Sequence, residues 1–234
     1  MKRELLQALD AARQRNEPAV LVRGLNSGKQ CMVSLRDSCG DLDEIDPAVR
    51  DAARAALDLD GAHTIEAAGD RFLLQTLAAR ARIVIVGAVH IAQALIPMAA
   101  RAGYDNLLID PRTAFANADR FPGIAIDNRW PHEVMAGLAL DLRTAVVTLS
   151  HDPKIDEPAL QAAMDSKAFY IGALGSRGNH AKRKERLAAR GYSEEQLDRI
   201  HGPVGLPLGG RSPAEIAVAT LAQIIQTRHR SSRD

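Results

Sequence analysis

The chain has 234 residues, with 30 basic and 29 acidic side chains for a formal net charge of +1, and only eight aromatic residues. That length can bury a substantial core, as one large domain or two small ones. With no global field to attract polyanions and few platforms on which bases could stack, nucleic acid and membrane surfaces are excluded as expected partners.

The first residues, Lys2-Arg3-Glu4-Leu5-Leu6, alternate charge with leucine, unlike a signal or transit peptide, and no apolar run approaches the length of a membrane span. We therefore expect a cytoplasmic protein. Leu5, Leu6, Leu9 and Ala12 share one face of a helix predicted over Glu4 to Arg15. Ala19 to Arg23 and Gln30 to Leu35 read as strands joined through the turn-forming Asn26-Ser27-Gly28. Pro47 opens an alanine-rich helix to about Leu59, and Arg71 to Leu77 reads as another strand. Cys31 and Cys39 lie eight positions apart without a His or Cys cluster, so zinc spacing is absent and no metal site is expected. Both cysteines fit an inert core role. Cys39, in Asp37-Ser38-Cys39-Gly40-Asp41, also reads as part of an exposed turn, where sulfur chemistry is open to it. These elements predict a small N-terminal α+β domain over residues 1–78, bounded by the Ala78 to Ala81 stretch.

Over residues 79–234 strands near 82–86, 106–110, 123–126, 144–149 and 168–171 alternate with helical stretches. Thr144 to Leu149 is almost continuously apolar, as a strand covered on both faces should be. The expected fold class is α/β, a Rossmann-type doubly wound parallel sheet. Pro97 falls inside the first helix of this region, where a proline costs about 3 kcal/mol, so a kink is expected. Ser212-Pro213-Ala214-Glu215 combines a capping box with proline at the first helical position, ahead of a predicted buried stripe of Ile216, Ala217, Leu221, Ile224 and Ile225.

The chemistry is expected just past the strand ends, because ligands of such sheets bind outside the carboxyl ends of the strands. Arg82 to Ala92 is an apolar β-branched run ending in a glycine turn, and Asp110 lies twenty-three residues beyond Gly87. That is close to the roughly 20-residue spacing of a carboxylate that takes ribose hydroxyls. Val89, however, puts a branched Cβ where a dinucleotide fingerprint needs its middle glycine, between Gly87 and Ala92, which disfavours NAD(P). Gly87, Ala88, Val89 and His90, then Asp110, Pro111 and Arg112, then Ser150, His151 and Asp152, then Gly172, Gly175, Ser176 and Arg177 should converge on one crevice. Ser150-His151-Asp152 is no catalytic triad, since adjacent residues on an extended chain point to different sides; it reads equally as a strand-end cap or a binding element. Arg177 at a helix start makes a phosphate site, whereas Lys182 to Arg186 reads as a solvated helix face. His90, His151 and His201 are each placed to serve as acid, base or ligand.

Ile-Val-Ile-Val-Gly-Ala-Val-His-Ile-Ala at 83–92, Asp-Pro-Arg at 110–112, Ser-His-Asp at 150–152, Tyr-Ile-Gly-Ala-Leu-Gly-Ser-Arg at 170–177, His-Gly-Pro-Val-Gly-Leu at 201–206 and Ser-Pro-Ala-Glu-Ile-Ala at 212–217 form a set. With it, residues 82 to 228 resemble the xanthine dehydrogenase accessory family (XdhC/CoxI). The resemblance implies a maturation factor, an accessory chaperone rather than an oxidoreductase. Such a factor would bind the molybdenum cofactor (molybdopterin), shield it while its terminal sulfur is installed, and help insert it into a xanthine dehydrogenase-type molybdenum hydroxylase. A cysteine desulfurase and a second copy of the chain are further partners it implies. Val89 departs from the family's Gly-x-Gly-His turn, while His90 is retained. The competing readings are an NAD(P)-dependent reductase, favoured by Asp110, and a nucleotide-sensing regulatory module.

Overall fold

The structure, a computed structural model, describes residues 2–41, 45–59 and 61–230. Two compact units divide the chain, Met1–Arg80 and Ala81–Asp234.

In the first unit helix α1 (Arg3–Gln14) buries Leu5, Leu9 and Ala12 and leaves Leu6 exposed. An antiparallel sheet follows, built from β1 (Ala19–Gly24), β2 (Gln30–Ser34), β3 (Ser38–Gly40), β4 (Ala62–Ala67) and β5 (Asp70–Leu77) in the order β3-β2-β1-β5-β4. Helix α2 (Pro47–Ala55) and a 3₁₀ turn over Ala56–Asp58 sit between β3 and β4. The β1–β2 turn is held from outside, because the Asp70 carboxylate accepts the Asn26 and Ser27 N–H groups at 3.0 and 3.1 Å. Alternation along the strands makes two small cores. Val20, Val22 and Cys31 pack with α2 residues, while Leu21 and Met32 pack with α1.

The expected turn around Cys39 is instead the edge strand β3, with Cys39 opposite Met32 and Gly40 opposite Cys31. Three residues between polar neighbours are too few to show a period of two. Cys39 packs against the α1 core and Cys31 belongs to the α2 core. β4 carries no sequence signal either, since Ala62-His63-Thr64-Ile65-Glu66-Ala67 alternates exposed and half-buried positions with few large apolar residues.

The second unit runs β6 (Arg82–Val86), α3 (His90–Arg101), β7 (Asp105–Ile109), β8 (Ala125–Asp127), α4 (Pro131–Ala136), β9 (Thr144–Thr148), α5 (Pro153–Met164), β10 (Tyr170–Ala173), α6 (Arg177–Ala188), α7 (Glu194–Asp198), β11 (Ile200–His201) and α8 (Pro213–Arg230). Its sheet is parallel throughout, in the order β11-β10-β9-β6-β7-β8. The strand order therefore reverses between β6 and β9, and in such sheets ligands bind outside the carboxyl ends near that point. One face is covered by α3 and α8, the other by α4, α5 and α6, so all five residues of β9 are buried.

Helix α3 continues through Pro97 to Arg101, so the proline does not end it. The ring lies on the exposed face, where water can take the carbonyl it leaves unbonded. The capping box of α8 is formed: Ser212 N–H reaches Glu215 Oε2 at 2.9 Å and Glu215 N–H reaches Ser212 Oγ at 3.3 Å. Of the expected stripe, Ala217 and Ile224 are buried and Ile216 and Leu221 pack half-buried against the same core, and Ile225 alone departs from it by being exposed. Thr220 is fully buried as well, because its hydroxyl satisfies itself on the Ile216 carbonyl and can enter the core. At the opposite edge Trp130 precedes α4, its backbone N–H donating to the Glu133 carboxylate at 3.0 Å and the residue 44% exposed.

Gly87 makes the switch point close. Its φ is +111°, and a Cβ there would lie 2.7 Å from the Ser150 backbone nitrogen at the end of β9. We expect Gly87→Ala to lower unfolding stability by about 2 kcal/mol through strain alone, and by more once the backbone contact is counted. Urea denaturation checks this, and an unchanged midpoint would contradict the close approach.

Candidate functional site

The first glycine turn is built on one buried carboxylate. Asp110, fully buried just past β7, accepts the Ala88 N–H at 2.7 Å, the Arg112 N–H at 2.9 Å, and Arg112 Nε and Nη2 at 2.9 and 2.7 Å. Burial alone would raise its pKa. The Arg112 guanidinium and the two backbone donors outweigh burial and hold the group below the usual carboxylate range. The oxygens that the 23-residue spacing would offer to a ribose are thus turned onto their own loop. Asn128 closes the same loop by donating to the Asp110 and Ala116 carbonyls at 3.0 and 3.1 Å.

Against this turn lies a cavity of about 390 Å³ lined by Ala88, Val89, His90, Arg112, Phe115 and Arg120, among others. Phe115 is 49% exposed and carries the Arg112 guanidinium 4.9 Å from its ring centroid, with that of Arg120 at 5.9 Å. Arg120 is braced by the Ala88 and Phe115 carbonyls at 3.0 and 2.7 Å and by Gln93 at 3.1 Å. Arg112 spends only one edge on Asp110. No side chain caps α3, whose N-cap is Val89, so its first-turn N–H groups and the exposed His90 stand at the cavity.

Across the switch point a second buried carboxylate does the corresponding work. Asp156 accepts Ser150 N–H and Oγ–H at 3.2 and 2.6 Å and His151 N–H at 3.1 Å. Burial pushes its pKa up, and the Ser150 bonds and the Arg183 charge oppose this without reversing it. Asp152 caps α5 through the Lys154 N–H at 2.9 Å, and His151 is exposed in the left-handed region at φ +63°.

The remaining expected residues serve mixed ends. A Cβ on Gly172 would strike the Val204 side chain and the Tyr170 ring, so this glycine is a packing requirement. Past it come Gly175 at φ +143° and Ser176, which caps α6 by accepting the Asn179 N–H at 3.2 Å, followed by the exposed Arg177. His201 stacks on Tyr170 with centroids 4.8 Å apart, and the Tyr170 hydroxyl donates to Gln223 at 2.6 Å. The solvated face expected over Lys182 to Arg186 is corrected at Arg183, while Arg186 is exposed as expected. Arg183 is only 6% exposed and donates to the Leu174 carbonyl at 2.8 Å, and Arg186 pairs with the buried Glu157 at 2.6 Å. Phe115, Arg120 and Asp156 have no signal in the sequence, where the region around 113–122 has no period, and Arg183 is read there only as one of a uniform run of bases.

Burial pushes the Cys31 thiol up to about 11, and burial with nearby Glu4 and Asp37 raises Cys39 against the Met32 backbone bond, so neither is a ready thiolate. Among the described residues no three His, Cys, Asp or Glu side chains group as a metal site, and no helix is long and apolar enough to cross a membrane.

The model of the family described as the XdhC Rossmann domain matches residues 83–224. Over 153 residues the chain is 33% identical to the molybdenum cofactor insertion chaperone PaoD of Escherichia coli (strain K12), covering 65% of this chain and 42% of that protein. It is 28% identical over 158 residues to a probable xanthine dehydrogenase subunit of Bacillus subtilis (strain 168), covering 67% and 46% respectively. The chain thus spans less than half the length of these two relatives. A crystal structure of a xanthine dehydrogenase from Bacillus halodurans superposes with a TM-score of 0.75 at 20% identity, covering 99% of this chain and 69% of that one, and shares the fold.

The depressed pKa of Asp110 sets a pH signature. A carboxylate whose folded pKa lies below its unfolded value of about 3.9 stabilises the fold above that pH, and the contribution is lost as pH falls through the folded value. Asp110→Asn should therefore be less stable than wild type at pH 7, with the gap narrowing below about pH 4. Thermal melts across that range test it, and a constant gap would contradict an ionised Asp110.

Proposed function

The chain belongs to the XdhC family, whose Rossmann domain model covers more than half of it, and on that premise we propose that it is a maturation factor for molybdenum enzymes. Its cargo is the molybdenum cofactor, handed on to a hydroxylase of the xanthine dehydrogenase type. The observation that carries this reading is the cavity at the uncapped start of α3, whose volume of about 390 Å³ falls within the size range of small-molecule sites. The donor set fits a flat pterin with a terminal phosphate. Phe115 offers a half-exposed aromatic ring, the free edge of Arg112 and the exposed His90 offer donors, and the first-turn N–H groups of α3 favour an anion. Arg177 on α6 is a further candidate for the phosphate.

When bound, the cargo supplies the molybdenum chemistry that the hydroxylase later uses. The chain's own residues bind and shelter it: Asp110 keeps Arg112 aimed, and Arg120 holds the 115–120 loop against the first turn. Sulfur installation is assigned to a partner desulfurase, because both thiols are held protonated. A name that reads as an insertion chaperone, carried by the Escherichia coli relative, supports delivery as the outcome. The nicotinamide reading is weakened by Val89 and by the prior engagement of Asp110.

Two outcomes test this. Cells lacking the gene should contain hydroxylase that is folded but short of molybdenum, restored by wild type and restored poorly by Phe115→Ala or His90→Ala. Full loading of the hydroxylase in the uncomplemented deletion would reject the role. Calorimetry should show at most weak NAD or NADP binding, strengthened by Val89→Gly; tight binding to the unmutated protein would promote the reductase reading.

A further inference from the structure

Helix α8 has two apolar faces, where a helix lying on a sheet needs one. Ala217, Thr220 and Ile224 form the side buried in the core. At 100° per residue Ala214, Val218, Ala222 and Ile225 fall within an arc of about 80° on the outer side. Val218 is 47% and Ile225 37% exposed, Ala214 is exposed and Ala222 half-buried. Helix α3 packs alongside α8, and its residues from Ile91 to Ala100 include no charge either. On the other face of the sheet α6 shows the usual pattern, with Lys182, Glu185 and Arg186 exposed. An uncharged outer strip on a helix about 27 Å long marks a surface that another protein covers.

We propose that the outer face of α8 is a dimerisation surface, packed antiparallel against α8 of a second copy of this chain about a two-fold axis at Leu221–Ala222. The strip is its own complement. In that register Val218 of each copy meets Ile225 of the other, Leu221 meets Ala222, and Ala214 meets the exposed His229. The small Ala222 lies at the centre, where the helix axes approach most closely. The charges favour the same orientation, because Glu215 stands near the start of the helix and Arg228 and His229 near its end. An antiparallel copy brings these unlike charges together and sets opposite dipole ends side by side, whereas a parallel copy brings like charges together. A self-complementary patch of this kind closes after two copies. With Ala94 and Met98 of α3 at its border, the pair covers on the order of 1,000 Å², the lower end for a specific interface, so a reversible dimer with a dissociation constant on the order of micromolar is expected. The proposal does not rest on the cargo reading, because it uses none of the residues assigned to the cargo cavity.

The test is sedimentation velocity of the full chain over a concentration series, with circular dichroism confirming that each variant folds. Wild type should pass from monomer to dimer, and Val218→Glu and Ile225→Glu, both at exposed positions, should each weaken the dimer at least tenfold. Combining Val218→Glu with Ile225→Lys should restore it, since every introduced charge then meets its opposite across the axis. Under mild oxidation Ala222→Cys should cross-link two chains, whereas Ala214→Cys, roughly 20 Å from its counterpart in this register, should not. A monomer at every concentration would overturn the proposal, as would a dimer that both glutamate variants leave intact. Cross-linking of Ala214→Cys as readily as Ala222→Cys, or a double variant no more associated than the single ones, would overturn the antiparallel two-fold.

Discussion

A single buried carboxylate organises the working end of the parallel sheet. Asp110 leaves β7 at a point where the Ala88 N–H of the neighbouring turn lies 2.7 Å away, and its remaining capacity goes to Arg112. The loop after β6, the loop after β7 and the orientation of Arg112 over Phe115 are thereby one unit. A neutral residue of the same shape could accept the backbone bond but could not hold the guanidinium by charge. The floor of the crevice is therefore an electrostatic construction laid over a hydrophobic one, since the strand ends beneath it are fully buried.

Asp156 repeats the device on the other side of the reversal in strand order, gathering the Ser150 and His151 donors where β9 ends. The two carboxylates differ in the charge around them. Asp110 has a guanidinium in contact and is held ionised, whereas Asp156 feels Arg183 only through space and its pKa is raised by burial. Between them Gly87 passes so close to Ser150 that no side chain fits. Two pinned loops and one bare backbone contact leave the first-turn cavity with rigid walls on its sheet side. Its loop side is carried by Arg120, which reaches the Ala88 carbonyl across the opening.

Much of this architecture can be read from the residues. β-branched runs such as Ile83-Val84-Ile85-Val86 and Ala145-Val146-Val147 are strands covered on both faces, and the parallel, doubly wound sheet follows from their alternation with helices. What escapes sequence reading is weak or non-local. β3 and β11 are too short to show a period, and β4 has too few apolar residues. The spacing that marks Asp110 as a ligand carboxylate is equally met by a structural one, because only the fold brings Arg112 and Ala88 to its oxygens. Arg183 sits among similar bases on α6, and nothing in the local string distinguishes the one that turns inward beneath Leu174. Phe115 and Arg120 lie on an irregular loop, where neither helical nor strand periodicity applies.

Trp130 has an optical consequence. It is the only tryptophan in the chain, and its ring is partly in water. It stands two residues after Asn128, whose amide ties this segment to the Asp110 and Ala116 carbonyls. Indole emission is therefore a single-site signal, free of overlap from other tryptophans, originating in the strand end that is stitched to the crevice loop. A shift of that loop is coupled to the fluorophore through one amide, so the protein carries its own unlabelled reporter for spectroscopy in dilute solution.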